Sequence, residues 1–473
     1  MRRARVVVGL LVATVAVGVV LLGGTTGERA HADPIAVLSA NAAVPQEEQA
    51  LSRLVSGLAT GRSERVVAAL EQRVRRNPHD GTALAVLGLA YQQRGRETGD
   101  STYYRLEGLA LTRAGAAGAP QALVATGTAS LDNTRHRFAA GLLEARRALG
   151  LEPYNASALG ALGDALLNLG RYREAFRAYD RMALESPGIS SFTRVANARE
   201  LTGRPAAAIA ADRLALEADT TIPEQVAWTI TQIGNVEFNM GHYAAARGEY
   251  DRALRRYPGY VHAQAGLARV EAAQGDDGDA VALLQHVVGR LPIPAYVIWL
   301  GDIQHASGRE AAARRTYALV DAIERIYAAN GVRTELQTAL FDLDHDHNVA
   351  DALGRARTAY ADAPGIYSED ALAWGLYRTG RCEAARSHSA RALRLGTRDA
   401  LLVFHRAMIE RCLGSGSAHA WFARALRINP QFSFLWAPVA RAELSRRGSA
   451  RCASARSSTR AAVSASSRGC GST

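Results

Sequence analysis

Alanines recur along most of this 473-residue chain with a period of roughly 34 residues. The period is nearly constant, with two longer intervals, one before Ala246 and one before Ala352. A fixed period of this length is typical of stacked structural repeats, because each unit is too small to bury its apolar face alone. The spacing therefore constrains the whole architecture at once. The eight alanines are Ala175, Ala208, Ala246, Ala280, Ala313, Ala352, Ala385 and Ala418.

Other residue types keep a constant offset from these alanines. In five of the eight cases a bulky apolar residue follows the alanine by four positions, as Tyr179 and Tyr250 do. In five cases a proline follows the alanine by twelve positions. Residues four apart lie on one face of a helix, so the small and the large side chain share that face. A glycine such as Gly170 precedes this helix, where a left-handed residue often ends the helix before it. Each period is therefore predicted to form two antiparallel helices joined by a tight turn.

One period, residues 156–189, contains the full pattern: Leu162-Gly163 on the first helix, Ala175 and Tyr179 on the second, and a closing Pro187. This pattern resembles the tetratricopeptide repeat (TPR). The resemblance extends roughly from residue 47 to residue 432 and implies an all-α, right-handed solenoid of about eleven helix–turn–helix repeats. These repeats would start near residues 47, 81, 122, 156, 189, 227, 261, 294, 333, 366 and 399.

Four repeats depart from the pattern. The first has Arg53 where an apolar residue is expected. The second has an insertion around Gly95–Thr102, before its second helix, and the repeat from Pro294 has a long second helix, roughly Glu310–Asn330. The repeat near Arg333 places His347 where the turn glycine is expected. These departures affect the bounds of single repeats, and we expect the stack to be interrupted at the two long intervals, before Ala246 and before Ala352.

The amino terminus has the features of an export signal. Arg2, Arg3 and Arg5 precede an uncharged apolar run, Val6–Leu22, and a small-residue cleavage site follows at residues 30–32. The run is long for a cleaved signal and short for a spanning helix, so cleavage and retention as a membrane anchor both stay open. Either alternative places the repeats outside the cytoplasm. The predicted organisation is a signal or anchor at 1–32, a linker at 33–46, a solenoid with a capping segment at 47–443, and a disordered tail at 444–473.

The net charge of +11 is unevenly distributed. The segment 1–32 carries +3 and the tail 444–473 carries +6, which leaves +2 on the repeats. The tail is rich in serine, alanine and arginine, and such a composition cannot bury enough apolar surface to fold. A nearly neutral array is not expected to bind nucleic acid. Two of the four cysteines, Cys382 and Cys412, map to one edge of the stack, where they could form a disulfide in an oxidising compartment.

The segment Asp342–His347 concentrates carboxylates and imidazoles, the groups that bind many metal ions. It falls at a helix end and a turn, where polar residues are common, and it lacks the glycine and glutamate of a calcium-binding loop. No nucleophile motif, phosphate-binding glycine loop or zinc helix occurs in the sequence. We therefore expect no catalysis, no cofactor and no metal, and keep a metal-dependent hydrolase at this segment as an alternative.

In the family that the chain resembles, first helices line a concave groove that holds a peptide or a partner's helix. The resemblance thus implies a scaffold for protein–protein interaction at the cell envelope, and an envelope scaffold that binds polysaccharide through Trp and Tyr is the alternative. Asparagine can hydrogen-bond a peptide backbone, and aromatic rings can anchor apolar side chains. The positions that correspond to the groove are Asp164, Asn168, Asn197, Trp228, Asn235, Asn239, His262, Arg269, Asp302, His305, Trp374, Tyr377 and Arg378.

Overall fold

The computed structural model describes residues 63–218 and 222–445, and these residues form helices and turns. The predicted signal or anchor, the linker, the first helix of the first repeat and residues 446–473 of the tail lie outside the described residues. None of the helices within the described ranges is long and apolar enough to cross a membrane.

The described helices are named α1 to α22 in chain order, and α22 comprises residues 436–445. Most of them are 13 or 14 residues long, as the helices Ala156–Asn168 and Tyr172–Glu185 are, which is close to half of the sequence period. The first twenty-one are α1 Ser63–Arg76, α2 Gly81–Thr98, α3 Thr102–Ala116, α4 Gln121–Thr134, α5 Phe138–Leu151, α6 Ala156–Asn168, α7 Tyr172–Glu185, α8 Ile189–Leu201, α9 Pro205–Ala218, α10 Pro223–Asn239, α11 Tyr243–Arg256, α12 Val261–Gln274, α13 Asp277–Arg290, α14 Pro294–Ala306, α15 Glu310–Ala329, α16 Glu335–Asp344, α17 Val349–Asp362, α18 Ile366–Arg378, α19 Cys382–Ala392, α20 Ala400–Cys412 and α21 Ala418–Ile428.

The helices alternate as first and second members of antiparallel pairs. Helix α1 corresponds to the second helix of the first predicted repeat, whose predicted first helix falls outside the described residues. Ten complete pairs follow, from α2/α3 to α20/α21. The prediction of an all-α solenoid of helical repeats is confirmed. The long second helix of the repeat from Pro294 is also present, as α15.

The recurring alanines pack where the two helices of a repeat meet. All eight are buried, and the most exposed of them, Ala418, is only 4% exposed. Glycine on the first helix leaves room for the tyrosine that follows the alanine by one turn, because a Cβ there would overlap the tyrosine ring. This contact occurs in three pairs of residues: Gly163 with Tyr179, Gly234 with Tyr250, and Gly301 with Tyr317.

The close approach at these alanines gives a first prediction. Ala246→Leu is expected to lower the free energy of unfolding by about 1–3 kcal/mol, because the added atoms enter a filled helix–helix contact. The exposed residue Ala245 on the same helix provides the control, and Ala245→Leu should change stability by less than about 0.5 kcal/mol. Urea denaturation of the two variants measures both effects. Equal losses would show that the alanine does not mark a packing constraint.

Curvature places the first helices on the inner side of the solenoid. Successive first helices contact one another along the array, for example α4 with α6 and α10 with α12. Contacts of similar extent do not join successive second helices in the described part of the chain. The first helices therefore form the concave face.

The solenoid coils so tightly that repeats far apart in sequence touch. The hydroxyl of Tyr172 accepts a hydrogen bond from the backbone N–H of Ile366 at 2.7 Å. The amide of Asn429 donates to the carbonyl of Phe238 at 2.9 Å. Further along the same line, the N–H of Arg333 donates to a backbone carbonyl of the first coil, and Asn330 donates to the Ser101 hydroxyl at 3.0 Å. We call this line of contacts between successive coils the inter-turn seam.

Glycines in the turns between paired helices make the seam possible. Gly170 and Gly203 both have a φ of +71°, and a Cβ on either would overlap a backbone oxygen of the next coil, that of Pro364 or Gly396. Gly380 has a similar φ of +77°, but a Cβ there would meet no described atom within 4 Å. The turns at Gly170 and Gly203 therefore both join paired helices and contact the next coil. The turn at Gly380 joins paired helices and contacts no other coil of the described residues.

A disulfide joins Cys382, at the start of α19, to Cys412, at the end of α20, with 6.2 Å between the Cα atoms. The bond links two consecutive repeats at one edge of the stack, which is the arrangement considered from the sequence.

In the turn between α16 and α17, positive φ angles occur at Asp346 and Asn348, on either side of His347.

Candidate ligand-binding groove

The concave face is built from first helices, and side chains of the second helices fix part of it. The hydroxyls of Tyr179, Tyr250 and Tyr317 each donate a hydrogen bond of 2.9 Å to a residue 15 positions earlier on the first helix. The acceptors are three of the residues assigned to the groove from the sequence, Asp164, Asn235 and Asp302. These three side chains therefore hold helix pairs together.

Asp164 has a second partner. Arg194 on the next first helix donates two hydrogen bonds to its carboxylate, at 2.9 and 2.8 Å. Such a bidentate pair fixes the geometry of both groups and neutralises the carboxylate. Asp164 is thus already paired within the protein.

Other assigned residues remain accessible. Asn197 and Trp228 are exposed, and Trp228 has 37% of its surface accessible. Asn168 is half-buried and lines a small cleft of about 110 Å³ at the inter-turn seam. The amide nitrogen of Asn239 donates to Glu200 at 3.2 Å. Asn197, Trp228 and Asn168 are the positions at which a ligand could hydrogen-bond or stack.

His262 and Arg269 lie on α12 among aromatic rings. His262 contacts the hydroxyl of Tyr296, and burial lowers the pKa of the imidazole to about 4, so the ring is neutral near pH 7. The Arg269 guanidinium lies 4.0 Å from the ring centroid of Phe238 and 4.4 Å from that of Trp299. Burial lowers the pKa of this arginine. Arg269 is therefore held between two rings by cation–π contacts.

The structure corrects the expectation for Trp374. Its side chain is completely buried, stacks on Tyr377 at 4.8 Å and on His405 at 4.1 Å, and donates to Asp344 at 2.9 Å. It belongs to the core because α20 and the segment around Trp436 pack over it. Trp374 is therefore inaccessible to a ligand.

The neighbours of Trp374 are also engaged. Tyr377 is half-buried against the Trp374 ring, and Arg378 donates to the Leu343 carbonyl and to Asp346. His305 lies near the end of α14, where it pairs with Glu310 at 2.9 Å. These side chains stabilise turns and helix contacts.

The segment Asp342–His347 is committed to internal contacts. Asp342 is buried and accepts from Arg355 and, at 2.8 Å, from His347. His345 bonds Asp302 at 2.9 Å. Within the described ranges no group of three or more His, Cys, Asp or Glu side chains is arranged to hold a metal ion. The geometry therefore gives no support to the metal-dependent hydrolase.

Several groove residues were missed from the sequence. Tyr367, at the start of α18, has 45% of its surface exposed. Desolvation raises the pKa of its phenol, and the negative charges of Asp399 and Glu200 raise it further. Tyr367 lies one residue into its first helix, close to the repeat position of Trp228, and could have been found from that likeness. The two carboxylates could not, because they come from repeats far apart in sequence.

Parts of the array are similar to known proteins. Residues 231–292 match the family model of the tetratricopeptide repeat. The chain is 28% identical over 259 residues to cellulose synthase 1 operon protein C of Komagataeibacter xylinus. That alignment covers 52% of this chain and only 19% of the relative's length.

Solved structures overlap the array loosely. A tetratricopeptide repeat protein from Parabacteroides merdae is 13% identical, with a TM-score of 0.32, and the match covers 61% of this chain and 98% of that one. PilW, a type IV pilus biogenesis factor, is 21% identical, with a TM-score of 0.36, over 42% of this chain and 92% of its own.

The fold and the concave face define a helical-repeat solenoid. The matched segment 231–292 falls within α10 to α13 and the turn that follows, where the alanine, its bulky partner and the turn glycine occupy their expected places. The predicted resemblance to the tetratricopeptide repeat family is confirmed by this match and by the helix pairs of the array.

Proposed function

We propose that this protein is a non-catalytic scaffold that binds an extended peptide segment of another protein along its concave face, outside the cytoplasm. The observation that carries the proposal is the inter-turn seam, which closes the wall of the coil while Asn197, Trp228 and Tyr367 stay accessible on the first helices.

The seam selects the kind of partner. We expect an extended chain, rather than a folded domain, to reach the inner side of a coil whose successive turns are in contact. An extended chain also exposes its backbone N–H and C=O groups, and asparagine side chains can both donate to and accept from them. Asn197 and Asn168 supply such groups, and Trp228 offers a ring for an apolar side chain.

The proposed location rests on two features. The charged and apolar pattern of residues 1–32 is typical of an export signal. The disulfide between Cys382 and Cys412 is of the kind that persists in oxidising compartments such as the periplasm or the extracellular space. Fractionation of cells that produce the tagged full chain tests this part, and recovery in the cytoplasm would contradict it.

The groove assignment is tested with the residues that the structure leaves accessible. A random 12-residue peptide library is selected on the folded array, and the affinity of the enriched peptides is measured by fluorescence anisotropy. Asn197→Ala combined with Trp228→Ala should weaken binding at least tenfold, since both a hydrogen-bond partner and an aromatic anchor are lost.

The matched control is Leu184→Ala. Leu184 lies on the second helix α7 and is 81% exposed, so it belongs to the outer side. Affinity should be unchanged in that variant. Loss of binding in Leu184→Ala, or unchanged binding in the double variant, would place the ligand elsewhere.

A second candidate function is polysaccharide binding. One relative is named for a cellulose synthase operon, and the exposed rings of Trp228 and Tyr367 are suited to stacking against sugar faces. Titration calorimetry with a soluble cello-oligosaccharide tests it, with Trp228→Ala as the variant, since Trp374 lies in the core. Binding that this variant abolishes would favour the polysaccharide over the peptide.

A further inference from the structure

We propose that the concave face contains a site for an organic cation, the guanidinium or ammonium group of an arginine or lysine in the bound segment, formed by Tyr367, Glu200 and Asp399. The inference rests on the proposed peptide-binding function and specifies the chemistry of one position along the groove.

The inter-turn seam assembles the three residues. Leu201, at the end of α8, packs in one cluster with Ile366, at the start of α18. Glu200 precedes Leu201 in the chain, and Tyr367 follows Ile366. The turn at Gly203 meets the backbone of Gly396, in the same loop as Asp399. Leu201 and Tyr367 also line the same cleft at the seam. Side chains from repeats far apart in sequence thus converge at one place.

The two carboxylates have no ion-pair partner. Glu200 accepts a hydrogen bond from Asn239 at 3.2 Å. Asp399 caps α20 and accepts from the backbone N–H groups of Leu401 and Leu402 at 2.9 and 3.3 Å through one oxygen. Neither forms an ion pair in the described part of the chain, in contrast to Asp164 with Arg194. The site therefore carries more negative than positive charge.

Two further carboxylates at this place are buried and incompletely paired. Asp370, one turn after Tyr367, is 3% exposed, bonds His405 at 2.8 Å with one oxygen, and leaves the other without a partner. Its charge acts on both Tyr367 and Asp399, as expected if it faces the same site. Asp212 is 2% exposed with an unpaired oxygen, and it interacts with the charge of Glu200. Near pH 7 Asp212 stays mostly protonated, because its pKa is raised to about 8, and His405 offsets the charge of Asp370. Glu200 and Asp399 are therefore the carboxylates left to a ligand.

These features are suited to an organic cation. Uncompensated charge in a partly desolvated place is costly, and a ligand cation would offset that cost. Burial raises the pKa values of Glu200 and Asp399, as expected where the counter-charge is missing. The exposed ring of Tyr367 can receive a guanidinium or ammonium on its face. A metal ion fits less well, because no three ligating groups of the described residues are gathered at metal-binding spacing.

The test compares peptides that differ only in charge. N-acetyl-Gly-Arg-Gly-Arg-Gly amide is titrated into the full chain by calorimetry, alongside the same peptide with citrulline, the neutral analogue of arginine. The arginine peptide should bind about tenfold more tightly, and the difference should shrink with added salt. Glu200→Gln combined with Asp399→Asn should lower the affinity for the arginine peptide to that for the citrulline peptide. Asparagine at position 399 preserves the cap of α20.

Controls separate this site from the groove as a whole. Glu217→Gln removes an exposed carboxylate on α9 and should leave the preference for arginine intact. Circular dichroism verifies that each variant is folded. Equal affinity for the arginine and citrulline peptides, or a preference that survives the double variant, would overturn the cation site but not peptide binding. Peptide binding itself is decided separately by the random library with Asn197→Ala and Trp228→Ala.

Discussion

Gly203→Ala is expected to be among the most destabilising small substitutions in this chain. The residue has a φ of +71°, which costs an L-residue about 1–2 kcal/mol, and the new Cβ would overlap the backbone oxygen of Gly396 on the next coil. We expect a total loss of about 3 kcal/mol or more in the free energy of unfolding, together with separation of the coils near this turn. Urea denaturation measures the stability, and small-angle scattering measures the expansion.

Gly380→Ala is the matched control. Gly380 has nearly the same φ, +77°, but no atom of the described residues lies within 4 Å of the place where its Cβ would stand. It should therefore lose only the backbone contribution, about 1–2 kcal/mol, without expansion of the coil. If the two variants lose equal stability, the coils are not in contact at Gly203 in solution.

Asp212→Asn is expected to stabilise the protein in a pH-dependent manner. Asp212 is buried with one oxygen unpaired, and burial, followed by the charge of Glu200, raises its pKa to about 8. In the unfolded chain the pKa is about 4. Asparagine has nearly the same shape and cannot ionise, so the variant should be more stable by about 1–3 kcal/mol near pH 8.

The sign of the pH dependence follows from these two pKa values. Below about pH 4 the carboxyl is protonated in both states and its ionisation costs nothing. As pH rises from about 4 to about 8, the unfolded chain loses a proton that the folded chain keeps, and the stability of the wild type falls. The advantage of Asp212→Asn should therefore shrink on going from pH 8 to pH 5. Thermal melts at several pH values, with Glu217→Gln as an exposed control, measure it; a pH-independent advantage would contradict the assignment.

The helix pairs could be predicted from the sequence because their determinants are local. The offset of Tyr179 from Ala175 and the glycine at 170 are set within one repeat, and each repeat packs mainly on its neighbours. The observed repeats begin within a few residues of the predicted starts, for example at Gly81, Ile189 and Ile366.

The inter-turn seam could not be predicted, because it depends on a small rotation accumulated over several repeats. Gly203 and Gly380 are equivalent in the repeat pattern, yet only Gly203 of the two lies against another coil. Contacts between repeats that are distant in sequence also explain why parts of the candidate site could not be predicted. Repeat position indicates that Trp374 faces inward, but it cannot show that His405 and Trp436 cover its ring. The carboxylates near Tyr367 reach it through the seam, so no single repeat reveals their proximity.

The solenoid closes on itself at the inter-turn seam, and an engineered disulfide across the seam tests this closure. Asn330 donates to the hydroxyl of Ser101 at 3.0 Å although they stand 229 positions apart in the sequence. Ser101→Cys with Asn330→Cys, with Cys452 and Cys470 replaced by serine, should form an intramolecular disulfide nearly completely on mild oxidation. The control pair, Ser101→Cys with Ser417→Cys, should not form a disulfide under the same conditions. An open coil would leave the Ser101/Asn330 pair unlinked, at the same low yield as the Ser417 control, and would contradict the closed superhelix.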